Sequence, residues 1–422
     1  MTRLPFVLAA IVAVVPAQRA ADGLVPLSVL YAGAHDARAD DFSQFLRTRF
    51  AKAGGIRLAE LQASDAARYD VVVVDGAAVA ASSRPAFLDP ATWPTPTVVV
   101  GAPGGRVFAG RRLKLDMNGP PTAGAAHLIV PAHPVFAEPK TGAALDDVAP
   151  VPPKFRTWPE GAAAGETLRV WRAHADAPED AALGATSEGF GFHDSPDCEV
   201  IARGLVDGAP NAVVVGRQGP FLHWGFGAPP SRLTPSGRAA LLNAIAYVAR
   251  FKGAPILVTD PVPSRDLALA FAARLRDPAL RDDARRRFAP AIFEEVGGDP
   301  LLAADLIAGE VERLRCDRMT VVGADGAPCE TFVFSIDEDA RALGLSNRAP
   351  EAIDACLNLI GHREEVDRAH RLLLRSVGVD LGPDLRHWHA WWNARKLDAR
   401  FCDTAGYHFL FPVADSRPAA PR

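Results

Sequence analysis

Tyr69-Asp70-Val71-Val72-Val73-Val74-Asp75-Gly76 (residues 69–76, YDVVVVDG) sets four consecutive valines between acidic residues. A strand with one wet face alternates apolar and polar side chains. An unbroken β-branched run instead predicts a strand covered on both faces, as in a sheet flanked by helices. Ser28–Ala32 (SVLYA) and Thr97–Gly101 (TVVVG) read the same way, and Ile56–Leu61 reads as a shorter strand. Between the first two, Asp41–Ala53 has helical spacing, with Phe42, Phe45, Leu46 and Phe50 on one face. Strand and helix signals in alternation imply a parallel sheet. Residues 106–191 are rich in Gly, Pro and Ala and have weaker periodicity; Leu168–His174 reads as a strand there. Further strands are expected at Cys198–Arg203, Ala212–Val215 and Pro220–Trp224. A helix follows over Thr234–Phe251, with Thr234 as N-cap and Pro235 at its first position.

The pattern changes after residues 252–263, a stretch with three prolines that reads as a linker. Helices are expected at Arg265–Arg276, Pro278–Phe288, Asp299–Arg315, Glu351–Gly361, Arg363–Val377 and Pro383–Leu397. Met319–Val322 and Thr331–Ser335 predict a hairpin around Asp325-Gly326, and Gly406–Phe411 a late strand. A chain of 422 residues exceeds one ordinary core, so two folded units are expected.

Arg3 followed by the short apolar run Leu4–Val15 resembles a secretory signal, with cleavage near Gln18 or Ala21; the run is too short to span a bilayer. Export of the chain is therefore expected, to the periplasm or the medium, with no membrane span after cleavage. Five cysteines, Cys198, Cys316, Cys329, Cys356 and Cys402, leave at least one thiol unpaired. Cys316 and Cys329 flank the hairpin and form the first pair to test, while buried free thiols fit the sequence equally well. No Cys/His spacing suits a metal site, and no cofactor is implied. The net charge of -4 argues against a nucleic-acid-binding surface.

The strand order over residues 27–250 resembles class I glutamine amidotransferase-like domains, and within them the trehalose-utilisation (ThuA-like) branch. His133-Pro134-Val135 resembles the His-Pro-Ile segment of that branch, and Gly216 through Phe226, Asn243-Ala244-Ile245, Asp337–Gly344 and Ala405-Gly406-Tyr407 resemble a group of exported bacterial proteins within it. In the amidotransferases the strand at this point enters a G-x-C-x-G elbow, which presents the thiol and an oxyanion hole. The corresponding stretch here is Gly101-Ala102-Pro103-Gly104-Gly105. Proline has neither a nucleophilic side chain nor a backbone N–H, so glutamine amidotransferase activity is not expected. His223 matches the family's catalytic histidine position, but Gly225 stands where its glutamate would be. In the alternative register the strand would end in Gly-His, where this chain has Gly227-Ala228. The resemblance implies a flavodoxin-like three-layer parallel sheet domain (27–251). A linker (252–263), a mainly α-helical domain with a small β-hairpin (264–413) and a disordered tail (414–422) complete the expectation.

Ligands of open parallel sheets bind beyond the carboxyl ends of the strands. There the catalytic candidates are His223, His35 and Asp75. The ligand-binding candidates are Asp36, Gly101, Gly104, Gly105, His133 and Trp224. His193, Asp194 and Asp197 form a further loop cluster. An exposed Trp224 would suit stacking on a sugar; a buried one would be core. The same Asp and His residues also suit turns and helix caps. Two functions remain open: a non-catalytic module binding a carbohydrate or another exported protein, and a carbohydrate-active enzyme using the strand-end His and Asp side chains.

Overall fold

The computed structural model describes residues 24–34, 36–76, 88–90, 92–101, 113–116, 124–137, 141–152, 167–174, 191–206, 211–322 and 328–411. The expected signal segment, the tail from 414 and the Asp325-Gly326 turn lie outside them. Strands β1 (Val25–Gly33), β2 (Phe50–Arg57), β3 (Val71–Asp75), β4 (Thr97–Val100), β5 (Ala125–Ile129), β6 (Asp147–Pro150), β7 (Thr167–Arg172), β8 (Cys198–Gly204), β9 (Val213–Gln218) and β10 (Phe221–Trp224) build one sheet. Their order is β2-β1-β3-β4-β10-β9-β8-β5-β7-β6. The first five are mutually parallel. In chain order they read 2-1-3-4-5, compatible with a flavodoxin-like sheet. Every pairing from β10 to β6 is antiparallel. The purely parallel sheet expected from the valine runs is thus half of a mixed one. Gly219 (φ 53°) lets the chain reverse between β9 and β10, a hairpin that no crossover helix could make.

The valines of β3 divide by alternation. Val71 and Val73 join a core with Tyr31, Phe42 and Trp224, beneath the helices Ala37–Arg47 and Pro235–Val248. Val72 and Val74 join the opposite core with Val99, Leu113, Phe192 and Phe221. The first helix ends at Arg47 with Thr48 as its C-cap, and β2 starts at Phe50, earlier than the sequence suggested. Phe50 keeps its place in the apolar cluster while arriving from a strand, so helical spacing, which fitted Phe50 as well, carried the expected helix on to Ala53, six residues past its end.

Beyond residue 264 the chain forms eight helices among the described residues, from Arg265–Arg274 to Leu385–Arg395. A hairpin pairs Leu314–Val322 with Pro328–Ile336, longer than expected on both strands: the first also takes Leu314 through Arg318, of which Leu314 and Arg315 were expected to be helical, and the second takes Pro328 through Glu330 and Ile336. A small two-stranded sheet pairs Arg400–Cys402 with His408–Leu410. Cys316 lies opposite Phe334 and Cys329 opposite Val321, five rungs along the ladder. At about 3.4 Å per residue that separation is about 17 Å, too far for a disulfide. Cys198, Cys316, Cys356 and Cys402 are free thiols. The proline-rich stretch after the sheet is well held. The Leu257 N–H donates to Asp197 at 2.8 Å, Gln218 Nε2 donates to the Val258 carbonyl at 2.7 Å, and the Val262 N–H donates to the Thr404 carbonyl at 3.0 Å.

Candidate functional site

The carboxyl ends of the parallel strands carry the first candidates. Asp75, the last residue of β3, is buried beneath the first helix. Its carboxylate accepts from Arg38 Nε at 2.6 Å, Arg38 Nη2 at 3.0 Å and the Tyr31 hydroxyl at 2.6 Å. Burial, and then the Asp75 charge, push the Tyr31 phenol well above its ordinary value, so it stays a donor. Tyr31 stacks on Phe42 with ring centroids 5.0 Å apart, and the Arg38 guanidinium lies over the same Phe42 ring. Tyr31 also explains Gly33. A Cβ there would come within 2.3 Å of the Tyr31 hydroxyl. This is a packed, internally neutralised unit, and a base already bound to a guanidinium and a phenol is poorly placed to take a substrate proton.

Asp36 caps the helix that begins at Ala37, accepting from the Arg38 and Ala39 N–H groups at 3.1 Å each. It also lines a cavity of about 710 Å³ between that helix and β2, together with Asp40, Ser43, Gln44, Arg47 and Gly55. Gly101 follows β4 at φ 66°, a left-handed conformation that suits glycine and turns the chain sharply. Its N–H donates to the Trp224 carbonyl at 2.7 Å. His35, Pro103, Gly104 and Gly105 lie outside the described residues.

His223 and Trp224 occupy neighbouring positions on β10 and therefore point to opposite faces. Trp224 is fully buried, edge-on to Phe226 and Trp171. That is a core position rather than a stacking platform. His223 is buried on the face of Phe221, paired in register with Val99 and Gly216. Asp75 belongs to the other face, so the sheet separates these two catalytic candidates.

His133 stands at the opposite end of the sheet. Its Nδ1 accepts from the Val135 N–H at 3.2 Å and its Nε2 faces Glu199 Oε2 at 3.4 Å. Glu199 also accepts from Arg217 Nη2 at 2.8 Å and the Tyr247 hydroxyl at 2.6 Å. Burial alone would raise the Glu199 carboxyl, but hydrogen bonds from His133, Arg217 and Tyr247 prevail and hold it at about 2. Arg217 stacks on Phe251, its guanidinium carbon 3.7 Å from the ring centre. The group joins β8, β9, the His-Pro turn and the helix end. Sequence reasoning found only His133 of it, since its other members lie on separate elements with no shared spacing.

The loop cluster also has structural partners. Asp194 pairs with fully buried Lys114 (Nζ–Oδ1 2.7 Å), and Lys114 Nζ also donates to the Gly191 carbonyl at 2.6 Å. Asp194 accepts in addition from the Thr404 N–H at 3.0 Å and hydroxyl at 2.9 Å. Asp197 accepts from Ser195, Leu257 and Gln218. His193 meets Asp266 at 3.3 Å. Among the described residues no three His, Cys, Asp or Glu side chains are arranged to hold a metal ion, and no helix is long and apolar enough to cross a membrane. The protein-family models contain no match to this chain, and no curated protein matches it.

Proposed function

We propose that this chain is an exported, non-catalytic binding module of the ThuA-like kind, a flavodoxin-like domain followed by a mainly helical one. The observation that carries the reading is the Arg38–Asp75–Tyr31 unit: the acidic side chain best placed at the strand ends is engaged in holding the fold together. Burial of His223 on the far face and Pro103 in the elbow sequence support it further. The cavity beside Asp36 suits recognition rather than chemistry. It offers carboxylates at one end, a guanidinium at the other and a hydroxyl and an amide between, a lining matched to a polar ligand or a partner surface.

The test is a thermal-shift screen of the purified chain against metal ions and a panel of mono- and disaccharides, run beside assays for ammonia release from glutamine and for glycoside cleavage. Binding without turnover is the expected result. Turnover abolished by His223→Ala or Asp75→Asn in a folded variant would replace this reading with the carbohydrate-active enzyme. Export is tested by mass spectrometry of secreted material, where a new N-terminus near Gln18 or Ala21 is expected and an intact Met1 removes that part of the proposal.

A further inference from the structure

Strand β2 is the outermost strand of the sheet, and its outer backbone edge meets no other strand among the described residues. Exposed edges invite pairing with another chain, and proteins usually blunt them with short strands, proline or a charge placed over the edge. The opposite edge, β6, follows that rule: it has four residues and ends at Pro150. β2 does not. It has eight residues and no proline, and from Lys52 to Arg57 it runs in unbroken register with β1. Its lysine is turned away from the edge, with Lys52 Nζ lying 4.7 Å from the centre of the Tyr69 ring on the sheet face.

The helix Ala37–Arg47 runs antiparallel to β2, and one stripe of it faces the cavity beside that edge. The stripe starts at Asp40, passes Ser43 and Gln44 and ends at Arg47. Asp40 and Arg47 are exposed and make no ion pair among the described residues. A stripe acidic at one end and basic at the other is complementary to its own copy turned end for end. That is the condition for a two-fold, isologous contact. Near the middle of the stripe the opposing strand carries Gly55, where a Cβ would only make ordinary contact with the Ser43 hydroxyl oxygen at 3.8 Å; Gly54 turns to the other face, where a Cβ would collide with Tyr69.

We propose that β2 and the helix Ala37–Arg47 form a self-association surface. In it β2 pairs antiparallel with β2 of a second copy, and Asp40 of each protomer faces Arg47 of the other across the two-fold axis. The proposal rests on the reading of this chain as a binding module and names its partner as itself.

The experiment is light scattering coupled to size exclusion on the full chain, across a concentration series, with three variants: Asp40→Arg, Arg47→Asp and the two together. Both positions are exposed, so the fold is retained, and thermal melts verify this. The wild type is expected to be a dimer. Each single reversal sets like charges opposite one another and should weaken the dimer by at least about tenfold. The double swap should restore it to within about threefold of wild type. A wild type that is monomeric at every concentration overturns the proposal, as does a dimer insensitive to both reversals. A monomer whose melting temperature rises with a small polar ligand, and loses that rise on Arg47→Asp, overturns self-association while leaving the binding-module reading intact.

Discussion

Asp75 and Arg38 meet in a two-point ion pair, Nε and Nη2 of the guanidinium each reaching one carboxylate oxygen, at 2.6 and 3.0 Å. The pair joins the end of β3 to the first turn of the neighbouring helix, and Tyr31 completes it from β1. A residue that sequence reasoning marks for chemistry thus also ties two strands and a helix together.

Asp75→Ala should accordingly cost stability. It leaves the Arg38 guanidinium, mostly buried, without its counter-charge, for a loss of about 3 kcal/mol. Tyr31→Phe removes one hydrogen bond and should cost about 1 kcal/mol. Urea unfolding followed by circular dichroism measures both; an Asp75→Ala chain as stable as wild type would return Asp75 to the list of functional candidates.

Lys114 has no exposed surface and depends on Asp194 for its counter-charge. Asp194→Ala should destabilise by about 4 kcal/mol, whereas Thr404→Val, which removes a neutral donor, should cost about 1 kcal/mol. In a double-mutant cycle Lys114→Met combined with Asp194→Ala should cost less than the sum of the two, because neither charge is then left alone.

Acid should weaken the Glu199 group in a defined window. The folded-state carboxyl is held at about 2, below its ordinary value of 4.5. The stability it contributes is therefore complete above pH 4.5 and is lost as pH falls from there through about 2. Glu199→Gln should be less stable than wild type near neutrality, and the gap should narrow over that interval. Thermal melts between those pH limits read it directly; a constant gap contradicts the depressed carboxyl.

The thiols of Cys316, Cys356 and Cys402 are buried, and desolvation raises all three, to about 12 for Cys356 and Cys402. Thiolate, the reactive form, is scarce there at pH 8. A maleimide should leave these three unlabelled in the native chain and label them in urea, as peptide mass spectrometry resolves. A native Cys316–Cys329 disulfide in that experiment would contradict the hairpin register.

The parallel half of the sheet was legible because its strands announce themselves locally: Val71–Val74 and Val98–Val100 need no knowledge of their neighbours. The antiparallel half was less so. β5 and β6 lie in a stretch rich in Gly, Pro and Ala, and Ala125-Ala126 or Asp147-Val148 carry little strand signal until paired with β7 and β8. Candidate residues fared according to what decides them. The helix cap at Asp36 follows from its residue type and position. Which sheet face Asp75 and His223 occupy depends on a strand order that sequence does not display, and so does the meeting of Glu199 with Arg217 and Tyr247.

Asp194 and Thr404 are separated by 210 residues, yet the contact between them shares a carboxylate with the buried Lys114. Opening the segment around Thr404 would strip hydrogen bonds from a charge inside the sheet half, and loosening the sheet would remove the seat of that segment. The same holds for Asp197, which grips Leu257 in the connecting stretch. Heat or denaturant should therefore meet a single cooperative unit. One shared melting transition is the expected result, and two separate ones would contradict the coupling.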